Sequence, residues 1–151
     1  MGKNAHAAAR ILNSASTKLK NDALINIADN LEANADKIIS ANKIDLENGK
    51  INGLSAALLD RLMLNGERIN GIANAVREIA ESVDPIGEIL EGFVRPNGLR
   101  VRKVRVPLGV IGIIYESRPN VTADAAALCF KSGNAVNKPD INCELTSPFT
   151  S

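Results

Sequence analysis

Val106–Asn134 reads V-P-L-G-V-I-G-I-I-Y-E-S-R-P-N-V-T-A-D-A-A-A-L-C-F-K-S-G-N. Its short apolar run, Val110–Ile114, lies between Gly109 and the polar cluster Glu116–Asn120. That length and β-branched content predict a buried strand rather than a helix. Pro119 biases Arg118 towards an extended backbone. A helix is then predicted over Ala123–Lys131, capped by Asn120 or Thr122, with Asp124 in its first turn and a stop at Gly133. A second apolar start at Ala135-Val136 completes the outline of a βαβ unit. In open α/β sheets ligands sit at the carboxyl ends of strands, which is where Tyr115–Asn120 would lie.

Working back from this unit, the hydrophobic period changes near Asp84. Downstream of it, Ile86–Arg95 and Leu99–Val106 flank Pro96-Asn97-Gly98, and Asn-Gly between apolar runs signals a hairpin. A two-residue turn there sets Val94 opposite Val101, with Glu91 diagonal to Arg102. Upstream, Gly2–Asn48 reads as three helices with breaks near Ser14–Thr17 and Asn34. Ala8, Ile11, Leu12 and Ala15 share one face, and Leu24, Ile27, Ala28 and Leu31 another; Ile38, Ile39 and Leu46 continue the pattern. Ser16 or Thr17 is a candidate cap for the second helix, and Ser55 caps a short helix through Met63. Asn65 opens a longer helix to about Ser82, with a stripe of Ile69, Ile72, Ala73, Val76, Ile79 and Ala80.

The residues of Val106–Asn134, together with D-R-L-M-L-N-G-E-R-I (Asp60–Ile69) and D-P-I-G-E-I (Asp84–Ile89), resemble the glutamate-5-semialdehyde dehydrogenase (γ-glutamyl phosphate reductase) family of the aldehyde dehydrogenase superfamily. The resemblance covers about Met1–Val136 and stops where this chain continues N-K-P-D-I-N-C-E-L-T-S-P-F-T-S. It implies an α/β fold: a helical region over residues 1–82, an oligomerisation-type β-hairpin over 83–107, and the start of an incomplete Rossmann-like NADP-binding domain over 108–136. Residues 137–151 are unmatched, lack periodicity and are expected to be disordered.

The resemblance also implies an activity, the NADPH-dependent reduction of L-glutamate 5-phosphate to the semialdehyde with release of phosphate, in L-proline biosynthesis. It makes Ser117, Arg118 and Asn120 candidate substrate or oxyanion contacts. A guanidinium at Arg118 suits a carboxylate or phosphate, which it can pair bidentately. Lys138 is the nearest basic residue to the family's cofactor-ribose contact. It falls one position short, and Pro139 stands in the place itself, so binding of NADP(H) by this chain alone is expected to be weak. The family's nucleophilic Cys lies beyond this chain's last residue. Cys129, in an apolar helix, and Cys143, with no basic neighbour, do not match its motif. A truncated, catalytically incomplete chain is therefore expected. The uncovered strand and helix of such a chain should leave apolar surface exposed. The alternative is a non-catalytic interaction module that associates through its helices and hairpin; the family implies a homo-oligomer.

Composition narrows the remaining classes. Among 151 residues, 45% are hydrophobic but only 3% aromatic, so aliphatic packing must build the core. A net charge of +1 gives no general attraction to polyanions. Arg95, Arg100, Arg102, Lys103 and Arg105 cluster on the hairpin without interleaved aromatics and read as a solvated face, with Glu88 and Glu91 as partners, rather than a nucleic-acid site. No apolar run reaches membrane-span length and no signal-peptide core is present, so a cytoplasmic address is expected. The lone His6 and two irregularly spaced Cys offer no metal site.

Overall fold

The computed structural model describes residues 2–115 and 118–137. Five helices come first: α1 (Gly2–Asn13), α2 (Thr17–Ala33), α3 (Ala35–Ile51), α4 (Ala56–Leu62) and α5 (Gly66–Glu81). They are followed by β1 (Ile89–Val94), β2 (Arg100–Val104), β3 (Val110–Gly112), α6 (Pro119–Lys131) and β4 (Ala135–Asn137). The helix boundaries follow local chemistry. Side chains of Ser16, Ser55 and Asn65 each accept a backbone N–H of the following turn, from Leu19, Leu58 and Arg68, satisfying donors that a helix start leaves open.

The core forms where α2, α5 and α6 meet. Leu24, Ala28, Ala73, Val76, Ala80 and Ala127 are all buried there. Alanines at three of the α2 and α5 positions let the two helices pack closely, and Leu24 and Val76 fill the remaining space. On the outer side of this pair, Arg77 bonds Glu32 and Asp29. The hydrogen bond from Arg77 holds Glu32 below the usual carboxylate range, against an opposing effect of burial. For α1 the sequence reading misplaces the buried face: Ala9 is the buried residue and Ile11 is 73% exposed. The orientation of α1 is set by its packing on β3 and β4.

The hairpin differs from expectation in register. Phe93 lies opposite Val101 and Val94 opposite Arg100, while Glu91 faces Lys103 directly. The reason is the turn. Gly98 N–H donates to Arg95 C=O and Arg95 N–H to Leu99 C=O, so three residues, not two, form the connection. Gly98 alone of the three is a positive-φ glycine, at 85°, and Asn97 accepts the Leu99 N–H through its side chain. Pro96 is thus the first central position of an ordinary turn, followed by a left-handed glycine. Every residue of β1 is exposed, and only Val101 of β2 is partly buried.

The βαβ unit is present: β3 and β4 run parallel, with Val110 opposite Ala135 and Ile111 opposite Val136. Two details depart from the prediction. The strand ends at Gly112 rather than Ile114. The helix begins at Pro119, not Ala123; Arg118 occupies the N-cap position, and no side chain caps it. Proline at the first helical position has no N–H to leave unsatisfied and is preset for helical φ. Asp124 consequently sits beyond the first turn, and Thr122 accepts a hydrogen bond from the Tyr115 hydroxyl at 2.7 Å instead of capping. At the other end, Gly133 (φ 71°) stops the helix as expected. A Cβ on Gly133 would stand 2.8 Å from Pro107 Cγ, so both conformation and space require glycine. The expected uncovered strand is covered in part by α1, which leaves Ala135 buried; Ile114 and, on α6, Leu128 stay exposed.

Candidate functional site

The N-terminus of α6 faces α4, α5 and their connection across an open cleft of about 470 Å³, a size suited to a small metabolite. Arg118, Pro119, Asn120 and Asp124 line it from α6. Asp60, Arg61 and Arg68 line it from the opposite wall, with Met63, Leu64 and Ile72 as the apolar part. Two motifs far apart in sequence, Asp60–Ile69 and the loop ending at Asn120, therefore meet at one place.

The far wall is held rigidly. Arg68 donates to the backbone carbonyl of Met63 at 2.9 Å and also to that of Asp60, and pairs with the Asp60 carboxylate at 2.9 Å. From α3, the buried Asn42 donates to Leu62 C=O at 2.9 Å and accepts from Leu64 N–H at 2.7 Å. These bonds satisfy the end of α4 with side chains where the backbone cannot do so itself.

The near wall is fixed from behind. Lys20 Nζ lies 2.5 Å from Asp84 Oδ2 and also donates to the last carbonyl of α6, Lys131 C=O, at 3.0 Å. The Lys131 ammonium turns back to Ala80 C=O and Asn21 Oδ1, each at 2.7 Å. Both lysines are nearly inaccessible, at 2% and 3% exposure. Burial pushes Asp84 upward, but hydrogen bonds from Lys20, Thr17 and the Ile86 N–H outweigh it and hold the carboxyl below its ordinary value. Burial pushes the Lys131 ammonium down, offset in part by Asp84 and reinforced by Lys20. This knot ties α6 to α2 and to the end of α5, and so sets where the opposite end of α6 points. The sequence reading treated Lys131 only as part of a helix end and passed over Lys20. A lysine one turn before Leu24 on the apolar face of α2 was the available signal.

Of the sequence candidates, Arg118 and Asn120 come together at the cleft, both exposed. Ser117, Lys138 and Cys143, with the whole tail after Asn137, lie outside the described residues. Cys129 is buried, and burial raises its thiol pKa, the opposite of what a nucleophile needs. His6 is exposed on α1. On the hairpin, Arg105 pairs with Glu88 at 2.7 Å and Lys103 with Glu91 at 3.5 Å. Among the described residues no group of three His, Cys, Asp or Glu side chains is placed to hold a metal, and no helix is long and apolar enough to cross a membrane.

Gly109 and Gly112 do not fit a dinucleotide phosphate cradle. The Gly109 N–H donates to the side chain of Asn134 at 2.8 Å, and its carbonyl accepts from Ala135, so this turn is filled by the protein itself. Asn134, buried and bonded also to Ser132, is a residue whose role in joining β3 to β4 the sequence reading did not assign.

No family model matches the chain. It is 60% identical over 135 residues to the γ-glutamyl phosphate reductase of Syntrophomonas wolfei and 57% identical over 135 residues to that of Clostridium tetani. Each match covers 89% of this chain and 32% of the relative. Among solved structures it resembles γ-glutamyl phosphate reductase from Thermotoga maritima, with a TM-score of 0.88 and 43% identity over 90% of this chain and 33% of that one. The Saccharomyces cerevisiae enzyme of the same name gives 0.84 and 39%, over 91% and 36%. The chain thus spans about a third of the length of the relatives it matches, and over some nine-tenths of its own length it resembles, in sequence and fold, the N-terminal part of γ-glutamyl phosphate reductases.

Proposed function

We propose that the cleft at the start of α6 is the substrate-facing wall of a γ-glutamyl phosphate reductase, of the aldehyde dehydrogenase superfamily. The reaction is NADPH-dependent reduction of L-glutamate 5-phosphate to L-glutamate 5-semialdehyde and phosphate, in L-proline biosynthesis. The observation that carries this reading is the convergence of the two resemblance-bearing motifs, Asp60–Ile69 and the Arg118-Pro119-Asn120 loop, on one charged cleft.

The chemistry matches the parts. Attack on an acyl phosphate pushes negative charge onto the carbonyl oxygen. The Asn120 amide and the positive end of the α6 dipole are suited to stabilise it. Arg118 is suited to the phosphate or carboxylate. The thiolate that attacks is not Cys129, which is buried. The Gly109 turn is closed by the Asn134 side chain and is not suited to hold the cofactor's phosphates. The cytoplasm is the compartment that this biosynthetic reaction implies.

The test is titration of the purified chain with a non-hydrolysable phosphonate analogue of L-glutamyl phosphate, followed by amide NMR. Shifts should cluster on residues 60–75 and 118–124, and Arg118→Gln should weaken binding about tenfold, as loss of a charge-assisted bond does. Absence of binding, or shifts confined to the hairpin, would overturn the reading.

A second reading, an interaction module acting through the hairpin, is favoured by one observation. Phe93 is 53% and Val94 65% exposed, on strands that no layer covers among the described residues. A homo-oligomer, as the family implies, would bury them. Sedimentation of the wild type against Phe93→Ser decides it: a self-association constant that the substitution leaves unchanged rejects the hairpin as the contact.

A further inference from the structure

The charges in the cleft do not cancel at random. Arg68 and Asp60 are consumed by each other and by the backbone of the α4 end. Arg61, Arg118 and Asp124 remain, and among the described residues none of their side chains has a hydrogen bond or ion pair. The cleft therefore offers two free guanidinium groups and one free carboxylate. A substrate carrying two anionic ends and one ammonium is complementary to that set. L-Glutamate 5-phosphate is such a molecule: an α-carboxylate, a phosphate and an α-ammonium.

Resting on the function proposed above, we infer that Asp124 is the specificity residue that receives the substrate's α-ammonium, with Arg61 receiving its α-carboxylate. Arg118 sits at the N-cap position of α6, next to the helix's positive end, which places the phosphate and the reacting acyl group there. Asp124 lies one helical turn further along α6, on the same side as Asn120. The amino-acid head then extends away from the α6 start and towards the α4 wall, where Arg61 stands. Among the described residues Asp124 has no partner, in contrast with Asp60 and Asp84. A partly buried carboxylate facing a charged cleft, with no partner among the described residues, is positioned to select a cation rather than to hold the fold.

The experiment compares two probes on the purified chain: the phosphonate analogue of L-glutamyl phosphate, and its des-amino counterpart. Wild-type chain should bind the amino compound about tenfold more tightly, the value of one charge-assisted hydrogen bond. Asp124→Asn should abolish that discrimination while leaving the des-amino compound within about twofold, and Asp124→Glu should restore part of it. Arg61→Gln should weaken both compounds equally, by about tenfold. Amide spectra of each variant report whether the fold is retained, and Asp124→Glu keeps the charge if the Asn variant does not fold. Equal binding of both probes to wild type overturns the assignment of Asp124 yet leaves the acyl-phosphate cleft standing. Discrimination that persists in Asp124→Asn also overturns it. Failure of both probes to bind wild type overturns both readings together.

Discussion

The two halves of this molecule solve the burial problem differently. In the α2–α5–α6 layer, apolar side chains meet inside the chain, and even the buried Lys20 and Lys131 are held by hydrogen bonds and an ion pair. In the β1–β2 hairpin the backbone is satisfied, strand to strand, but almost every side chain faces outwards. Hydrogen-bonded geometry alone therefore does not make a core; a sheet needs a layer against it. The helical layer positions the cleft, whereas the hairpin contributes nothing to it.

This contrast is sharpest at Asp84. Asp84→Ala would leave Lys20 as an uncompensated buried charge and should cost about 3–5 kcal/mol in urea unfolding. Replacing Lys20 and Asp84 together with apolar residues should cost much less. The pH dependence follows from the direction of the Asp84 shift. Its folded pKa is lowered, so the stability it supplies is complete above the unfolded value near pH 4 and is lost as the pH falls through the lower, folded value. A thermal melt of the wild type should show that acid limb, and Asp84→Ala should flatten it. An unchanged limb would place the acid sensitivity elsewhere.

Next in size, Leu24→Ala removes a fully buried side chain and should cost about 2–5 kcal/mol, read by the same urea titration. Smallest of all, Phe93→Ser on the hairpin should change the stability of the monomer by less than about 0.5 kcal/mol, since the ring is 53% exposed. Arg95 stacks over it at 5.6 Å, an exposed contact of small worth. A large loss on Phe93→Ser in dilute monomer would erase the distinction between the two regions.

Much of the fold was legible because the signals were local. Ser16, Ser55, Asn65 and Gly133 mark helix ends through bonds or dihedrals spanning a few residues, and the stripe Ile69–Ala80 repeats at the helical period. The hairpin register was misread by one residue because Pro96-Asn97-Gly98 supports either a two- or a three-residue connection, and the choice moves every pair of the ladder by one residue. The start of α6 was misread because Asn120 and Thr122 looked like caps, while Pro119 opened the helix before either. At the cleft, the sequence singled out Arg118 and Asn120 by resemblance but could not pair them with Arg61 and Asp124.

What the sequence determined by itself was the kind and order of the elements, since hydrophobic period, caps and glycines act within a turn or two of the chain. What only the tertiary structure decided was which polar side chains are consumed by the fold and which are left for a ligand. Lys20, Asn42, Asp84, Lys131 and Asn134 look like solvated residues in the sequence, and each is bonded to a distant segment. Arg61, Arg118 and Asp124 look no different, yet remain free of partners among the described residues. The physical reason is that a charge or amide acquires its role from what lies within about 3 Å in space, and no local pattern of the chain encodes that neighbour.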